Sequence, residues 1–232
     1  MNICITGATK GIGKAIAEKF ASNSFNIAIC SRNSNELTQL KEELEEKSKI
    51  KVLAKVCDVS SKAELKEFGA FIKEHWDKLD ILINNAGLFL PGQTIEEEEG
   101  TIESQIETNL YSAYYMTREM LPIMQPHRSG SIFNVCSVAS LAAYPNGGSY
   151  SISKFGLLGY TKALRQELKD FNIKVTALNL GAVYTSSWEG TDLPESRFID
   201  PVDVASLVFD IYSLSERSVV EEILVRPLMG DI

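Results

Sequence analysis

The first twenty residues constrain the fold more than any other stretch of the chain. Asn2 to Thr6 (Asn-Ile-Cys-Ile-Thr) is a short apolar run of strand type. Gly7-Ala8-Thr9-Lys10-Gly11-Ile12-Gly13 follows, and then an amphipathic stretch through Lys14, Ile16, Ala17 and Phe20. Strand, glycine turn and helix in that order predict the opening of a βαβ unit, the context in which a glycine pattern points to a dinucleotide. Glycine permits the tight turn and lets backbone N–H groups approach a pyrophosphate at the helix N-terminus. The spacing is not that of a P-loop, because Ala15 follows Lys14 where a hydroxyl residue is required. Nor is it strict G-x-G-x-x-G, since Ile16 holds the last place. Either packing or phosphate contact accounts for Gly11 and Gly13.

Asn26 to Cys30 reads as a second buried strand. In many NAD-binding units an acidic residue at the end of this strand holds the ribose hydroxyls. Here the chain continues Ser31-Arg32-Asn33, without a carboxylate. Arg32, together with Lys10 in the glycine turn, suits a 2′-phosphate instead. NADP(H) is therefore expected over NAD(H).

The rest of the chain continues the alternation. Helices are predicted over Asn35–Ser48 and Ser61–Trp76, with strands at Ile50–Val56 and Asp80–Ile83. Asp58, just past the third strand, is a candidate adenine contact, because ligands of open α/β sheets bind outside the carboxyl ends of strands. Asn84-Asn85-Ala86-Gly87 leaves the fourth strand facing the same region, although such a sequence also makes a plain turn. Glu96 to Glu99 is a charge run and reads as a solvated loop or helix start. One long helix is expected from Thr101 to Met124. Asn109 lies inside it, where asparagine is a poor helix former. Either it is tolerated on a surface face or its side chain has a task.

Ser131 to Cys136 is a fifth strand, with Ser137 at its end. A glycine- and proline-bearing loop, Ala142 to Ser149, leads into a helix carrying Tyr150 and Lys154. Residues four apart on a helix share a face. An ammonium close to a phenol moves the phenol's pKa toward neutrality, and such a phenol can trade a proton with an alcohol or carbonyl. Lys174–Leu180 and Glu222–Arg226 are the remaining strands, with a helix starting at Pro201. Tyr184 to Asp200 loses periodicity, and a loop of that length reads as a substrate lid. One domain over 1–232 is expected.

Composition removes several function classes. A net charge of −8 argues against a nucleic-acid or anionic-membrane partner. Cys4, Cys30, Cys57 and Cys136 form no C-x-x-C pair, and with only two histidines no metal site is expected. There is no G-x-S-x-G elbow. No apolar run is long enough for a membrane span, and a strand starting at Asn2 leaves no room for a signal peptide, so a cytoplasmic protein is expected.

Taken in order, these motifs resemble the short-chain dehydrogenase/reductase family in its compact form, from Asn2 to about Arg226. Thr6-Gly7-x-x-x-Gly11-Ile12-Gly13 is similar to its cofactor turn, and Asn84-Asn85-Ala86-Gly87 to its fourth-strand signature. Asn109, Ser137, Tyr150 and Lys154 match its catalytic tetrad, including the thirteen-residue gap between serine and tyrosine. The resemblance implies a Rossmann-like, doubly wound α/β fold with a parallel sheet of about seven strands and helices on both faces. It implies that Tyr150 exchanges the proton, Lys154 lowers its pKa and holds the nicotinamide ribose, Ser137 holds the reacting oxygen, and Asn109 anchors a water. It also implies cofactor contacts from Gly7, Thr9, Lys10, Gly11, Ile12, Gly13, Ser31, Arg32, Asp58, Val59, Asn85, Ala86, Gly87, Gly181, Val183 and Thr185.

Two departures stand out. Leu180-Gly181 replaces the usual Pro-Gly, and the C-terminus lacks the usual double glycine. The first implies a less rigid approach to the nicotinamide; the second weakens the case for a tetramer over a helix-paired homodimer. Leu88, Leu141, Tyr144, Tyr184 and Trp188 are the candidate substrate contacts, suited to a hydrophobic ketone, aldehyde or diketone. The expected activity is NADP(H)-dependent carbonyl–alcohol interconversion. The alternative is a dinucleotide sensor or scaffold on the same fold, which has no need of an intact tetrad.

Overall fold

The computed structural model describes residues 1–188 and 190–232. Seven strands form one sheet, every pairing parallel: β1 (Asn2–Thr6), β2 (Asn26–Ser31), β3 (Val52–Val56), β4 (Ile81–Asn84), β5 (Gly130–Ser137), β6 (Ile173–Leu180) and β7 (Glu222–Val225). Their spatial order is β3-β2-β1-β4-β5-β6-β7. The chain winds outward from β1 to β3, then returns to place β4 on the other side of β1. That reversal opens a crevice at the carboxyl ends of β1 and β4, where open sheets bind ligands.

The strands around the reversal carry continuous apolar runs, Ile3-Cys4-Ile5 in β1 and Ile81-Leu82-Ile83 in β4, because helices cover both sheet faces. In β1, Ile3 and Ile5 join one core with α1 (Gly11–Ser22), α2 (Ser34–Ser48) and α7 (Pro201–Tyr212). Cys4 faces the other core, with α3 (Lys62–His75), α5 (Ser112–Met120) and α6 (Gly148–Leu168). Each fully buried isoleucine of this kind contributes about 1.5–3 kcal/mol. The helix starts are encoded locally. Asn33 caps α2 by accepting from Asn35 N and Glu36 N, Ser61 caps α3, and Asp200 caps α7 ahead of Pro201.

The expected helix from Thr101 to Met124 is broken into parts. α4 (Thr101–Ile106) passes into a π turn at Glu107–Tyr111, α5 resumes at Ser112, and two 3₁₀ turns end the segment. Asn109 sits in the π turn, 1% exposed, so it is not on a surface face. The third strand starts at Val52, two residues later than expected. The four cysteines are buried free thiols; burial raises those of Cys4 and Cys136, the latter to about 11. Among the described residues, no helix is long and apolar enough to cross a membrane, and no cluster of metal-ligating side chains occurs.

Candidate active site

A cavity of about 870 Å³ runs along the carboxyl ends of the strands. One end is lined by Thr9, Lys10, Ser31, Arg32, Asp58 and Val59. Thr9 Oγ1 and Ser31 Oγ lie 3.2 Å apart. Arg32 is exposed, and among the described residues it enters no ion pair. Lys10 is different: its ammonium lies 2.9 Å from Glu36, whose carboxyl it holds below the usual carboxylate range. Part of the positive charge expected from Lys10 is thus already answered. Asp58 Oδ1 accepts from both the N–H and the hydroxyl of Ser60, and the α3 cap is Ser61.

The middle of the cavity is the glycine turn. Gly7 and Gly11 adopt φ of +64° and +52°, the left-handed region that suits glycine. Gly7, Gly11 and Ile12 line the cavity, and a Cβ on Gly11 would come within 2.7 Å of Thr185. Gly13 does not line it. A Cβ there would strike Gly7 O and lie 2.5 Å from Asn85 Nδ2, so packing dictates this glycine. Asn85 ties the turn down by donating from Nδ2 to Thr6 O and Gly7 O, at 3.0 and 2.9 Å. Thr6 Oγ1 in turn accepts from Asn85 N and Ala86 N. Ala86, Gly87, Gly181, Val183 and Thr185 complete this part of the lining.

At the far end Ser137, Tyr150 and Lys154 converge. Ser137 ends β5 in a fixed orientation: its hydroxyl accepts from Ala139 N, and its own N–H donates to Ser140 Oγ, both at 3.1 Å. The same hydroxyl is the polar group that acts on the Tyr150 phenol, favouring its ionised form. Lys154 is 3% exposed and donates from Nζ to Val135 O at 2.8 Å. Burial lowers its pKa to about 8. The phenol departs from the sequence expectation. Burial raises the Tyr150 pKa, with Ser137 pulling it partly back. Lys154 Nζ lies 5.7 Å from the ring centroid and spends a hydrogen bond on the sheet, so desolvation outweighs its field. A phenol kept protonated beside a fixed hydroxyl is suited to giving a proton to an oxygen.

Asn109 does not line the cavity. Its amide holds the strand-exit backbone, accepting from Leu88 N at 2.7 Å and donating to Leu88 O at 2.9 Å, and also donates to Ser153 Oγ at 2.8 Å. Gly87 lies between this group and the ammonium: a Cβ there would come within 3.3 Å of Asn109 Oδ1 and 3.6 Å of Lys154 Nζ.

Of the five expected substrate contacts, Leu88, Tyr144 and Trp188 line the cavity, while Leu141 and Tyr184 do not. The Tyr184 ring packs on Phe198 instead, with centroids 5.6 Å apart. The 184–200 stretch is fastened at its base, since Tyr184 N donates to Ile199 O and Ile199 N to Ala182 O. Glu189, inside this expected lid, lies outside the described residues. The sequence reading missed Phe89, Arg226, Asp231 and Ile232, all of which line the cavity. Phe89 stands directly after Leu88, and an aromatic following the fourth-strand signature was a legible signal. The tail residues carried none: Arg226 and Asp231 pair with each other, and the tail packs against Gly181.

The comparisons with known proteins agree with this geometry. A family model described as short chain dehydrogenase matches residues 1–195. The sepiapterin reductase of Chlorobaculum tepidum is 32% identical over 99% of this chain and 97% of its own length. The structure of an alcohol dehydrogenase from the archaeon Thermococcus sibiricus, complexed with 5-hydroxy-NADP, matches with a TM-score of 0.92. Its identity is 25%, over 100% of this chain and 98% of that one. A single-residue variant of actinorhodin polyketide ketoreductase, with NADPH, matches with a TM-score of 0.89 and 26% identity, over 100% and 97% of the two chains. A family match over most of the chain, on a seven-stranded sheet whose reversal carries the cavity, makes this chain a member of the short-chain dehydrogenase/reductase family of oxidoreductases.

Proposed function

We propose that the chain is an NADP(H)-dependent oxidoreductase that interconverts a carbonyl and an alcohol, with Tyr150 as the proton-exchanging group. The observation that carries this reading is the meeting of Ser137, Tyr150 and Lys154 at one end of the cavity that has Arg32 at the other. In this reading residues 1–232 act as one NADP-binding domain.

The residues fit such a cofactor. The first turn of α1 contains no acidic residue, and its N-cap, Lys10, makes no side-chain cap bond. Its N–H groups are suited to a pyrophosphate. Arg32, Ser31 and Thr9 suit a 2′-phosphate, and relatives of known structure complexed with 5-hydroxy-NADP and NADPH support that choice. Lys154 would hold the nicotinamide ribose. When bound, the cofactor supplies or accepts the hydride.

The chain's own residues manage the proton. In reduction, Ser137 donates a hydrogen bond to the carbonyl oxygen and fixes its position, and Tyr150 gives that oxygen its proton. The ammonium of Lys154 offsets the negative charge left on the phenolate, which is then reprotonated from solvent. Oxidation runs the same steps backward.

Leu88, Phe89, Tyr144 and Trp188 give the substrate end of the cavity an apolar and aromatic wall, suited to a hydrophobic ketone, aldehyde or diketone. A second copy of the chain would pair across α5 and α6, where Tyr114, Ile152 and Phe155 are exposed, as is Tyr111 at the end of the π turn before α5. The test of the function is NADPH oxidation over a carbonyl panel that includes sepiapterin. Turnover with NADPH and at least one carbonyl is expected. NADPH binding without turnover of any carbonyl would favour a sensor instead.

A further inference from the structure

The helix that carries Tyr150 and Lys154 begins without a cap of its own. Its sequence opens Gly147-Gly148-Ser149; Gly147 makes no side-chain cap bond, and the first turn contains no acidic residue. The first N–H groups of a helix have no partner within it, and the helix dipole favours an anion there. Both needs are met from 52 residues away. Ser149, buried, donates its N–H to Glu97 Oε1 at 2.8 Å and its hydroxyl to Glu97 Oε2.

The fit is close. A Cβ on Gly148 would run into Glu97 Oε1, and one on Gly92 would come within 2.9 Å of Glu97 Cγ. Small residues on both sides let the carboxylate reach the helix end. Glu97 also closes a longer strap. Leu88 is held by Asn109, Leu90 exchanges hydrogen bonds with Gln105, and Gly92 N donates to Asn146 O at 3.1 Å. Within that strap Phe89 stands edge-on to the Tyr150 ring, with centroids 4.9 Å apart and planes at 69°. The glutamate run around Glu97 reads as a solvated loop in the sequence, and Glu96, Glu98 and Glu99 are exposed. Glu97 departs from them because Ser149 is buried and has no other capping group.

We propose that Glu97 is a positioning residue, clasping the start of α6 to the 88–99 strap so that Phe89 and the Tyr150 phenol hold one orientation toward the cavity. The inference rests on the reading of Tyr150 as the proton donor. Misplacing a reacting group by about 1 Å costs up to ~100-fold in rate. Glu97→Ala is therefore expected to lower kcat about tenfold or more, with the Kd for NADPH unchanged, since the dinucleotide end of the cavity is untouched. Glu97→Gln keeps an oxygen for the Ser149 N–H and recovers most of the rate. Gly148→Ala pushes the carboxylate off the helix and reproduces the Glu97→Ala loss, giving a second route if that variant folds poorly.

The experiment measures kcat, KM and NADPH Kd for these variants and for Tyr150→Phe, well below the unfolding temperature, with amide hydrogen exchange across 148–153. A loss of kcat in Glu97→Ala, restored in Glu97→Gln, supports the clasp. Wild-type kcat in Glu97→Ala overturns it, even if the melting temperature falls. A wild type that reduces no carbonyl refutes the functional reading separately. The exchange data then decide: faster exchange over 148–153 in Glu97→Ala supports the clasp, and unchanged exchange overturns it.

Discussion

Asn109 grips the backbone of Leu88 at both its N–H and its C=O, at 2.7 and 2.9 Å, from inside a five-residue π turn. The extra residue of that turn aims an asparagine at the exit of β4, and π insertions of this kind recur at functional sites. Removing the amide orphans two backbone groups at once. Asn109→Ala is expected to destabilise the fold by about 2–4 kcal/mol, read from the denaturant midpoint. It should also lower kcat by about tenfold or more, because Leu88 and Phe89 line the cavity beside Tyr150. Unchanged stability would mean that water replaces the amide at no cost.

The cofactor end gives a prediction in which two charges act in opposite senses. Arg32→Asp is expected to weaken NADPH binding about 10- to 100-fold and to leave NADH binding little changed, by titration with each nucleotide. Glu36 answers Lys10 in the structure. Glu36→Gln should therefore tighten NADPH about twofold to fivefold without tightening NADH. Equal affinity of the wild type for both nucleotides would defeat the phosphate assignment.

These outcomes bear on what the sequence made legible. The strands were, because parallel strands covered on both faces are written as continuous apolar runs such as Ile3-Cys4-Ile5. The cavity lining at strand ends followed from the same alternation, as with Ser137 closing β5. The π turn was not legible. Its stretch keeps helical composition, and what holds it is Asn109's reach to Leu88 and Ser153, 21 and 44 residues away. The raised phenol of Tyr150 was missed for a similar reason. Spacing places Lys154 one turn along, but only the packed structure sends its Nζ to Val135 O. Glu97 had nothing in the sequence to separate it from its three neighbours.

Lys154 also makes folding depend on pH. Burial lowers its pKa from the ordinary 10.5 to about 8 in the folded state. Below about pH 8 both folded and unfolded chains carry the proton, and the cost of a buried ammonium is fully present. Between about 8 and 10.5 the folded state has lost the proton and the unfolded chain keeps it, so stability rises with pH. Relative to Lys154→Met, the wild type should gain up to about 3 kcal/mol across this window. Urea denaturation of both proteins at a series of pH values reads the difference, in which groups that Lys154 does not influence cancel; Cys136, which interacts with Lys154, does not. A difference flat with pH would contradict a desolvated Lys154.

The proton-transfer role of Tyr150 is tested most directly by one single-turnover measurement. Wild type and Tyr150→Phe, each saturated with NADPH, are mixed with a carbonyl that the wild type reduces, and NADPH oxidation is followed by absorbance. Losing the donor is expected to slow this step about 10²- to 10⁴-fold with the Kd for NADPH unchanged. Oxidation at the wild-type rate in Tyr150→Phe would contradict the account.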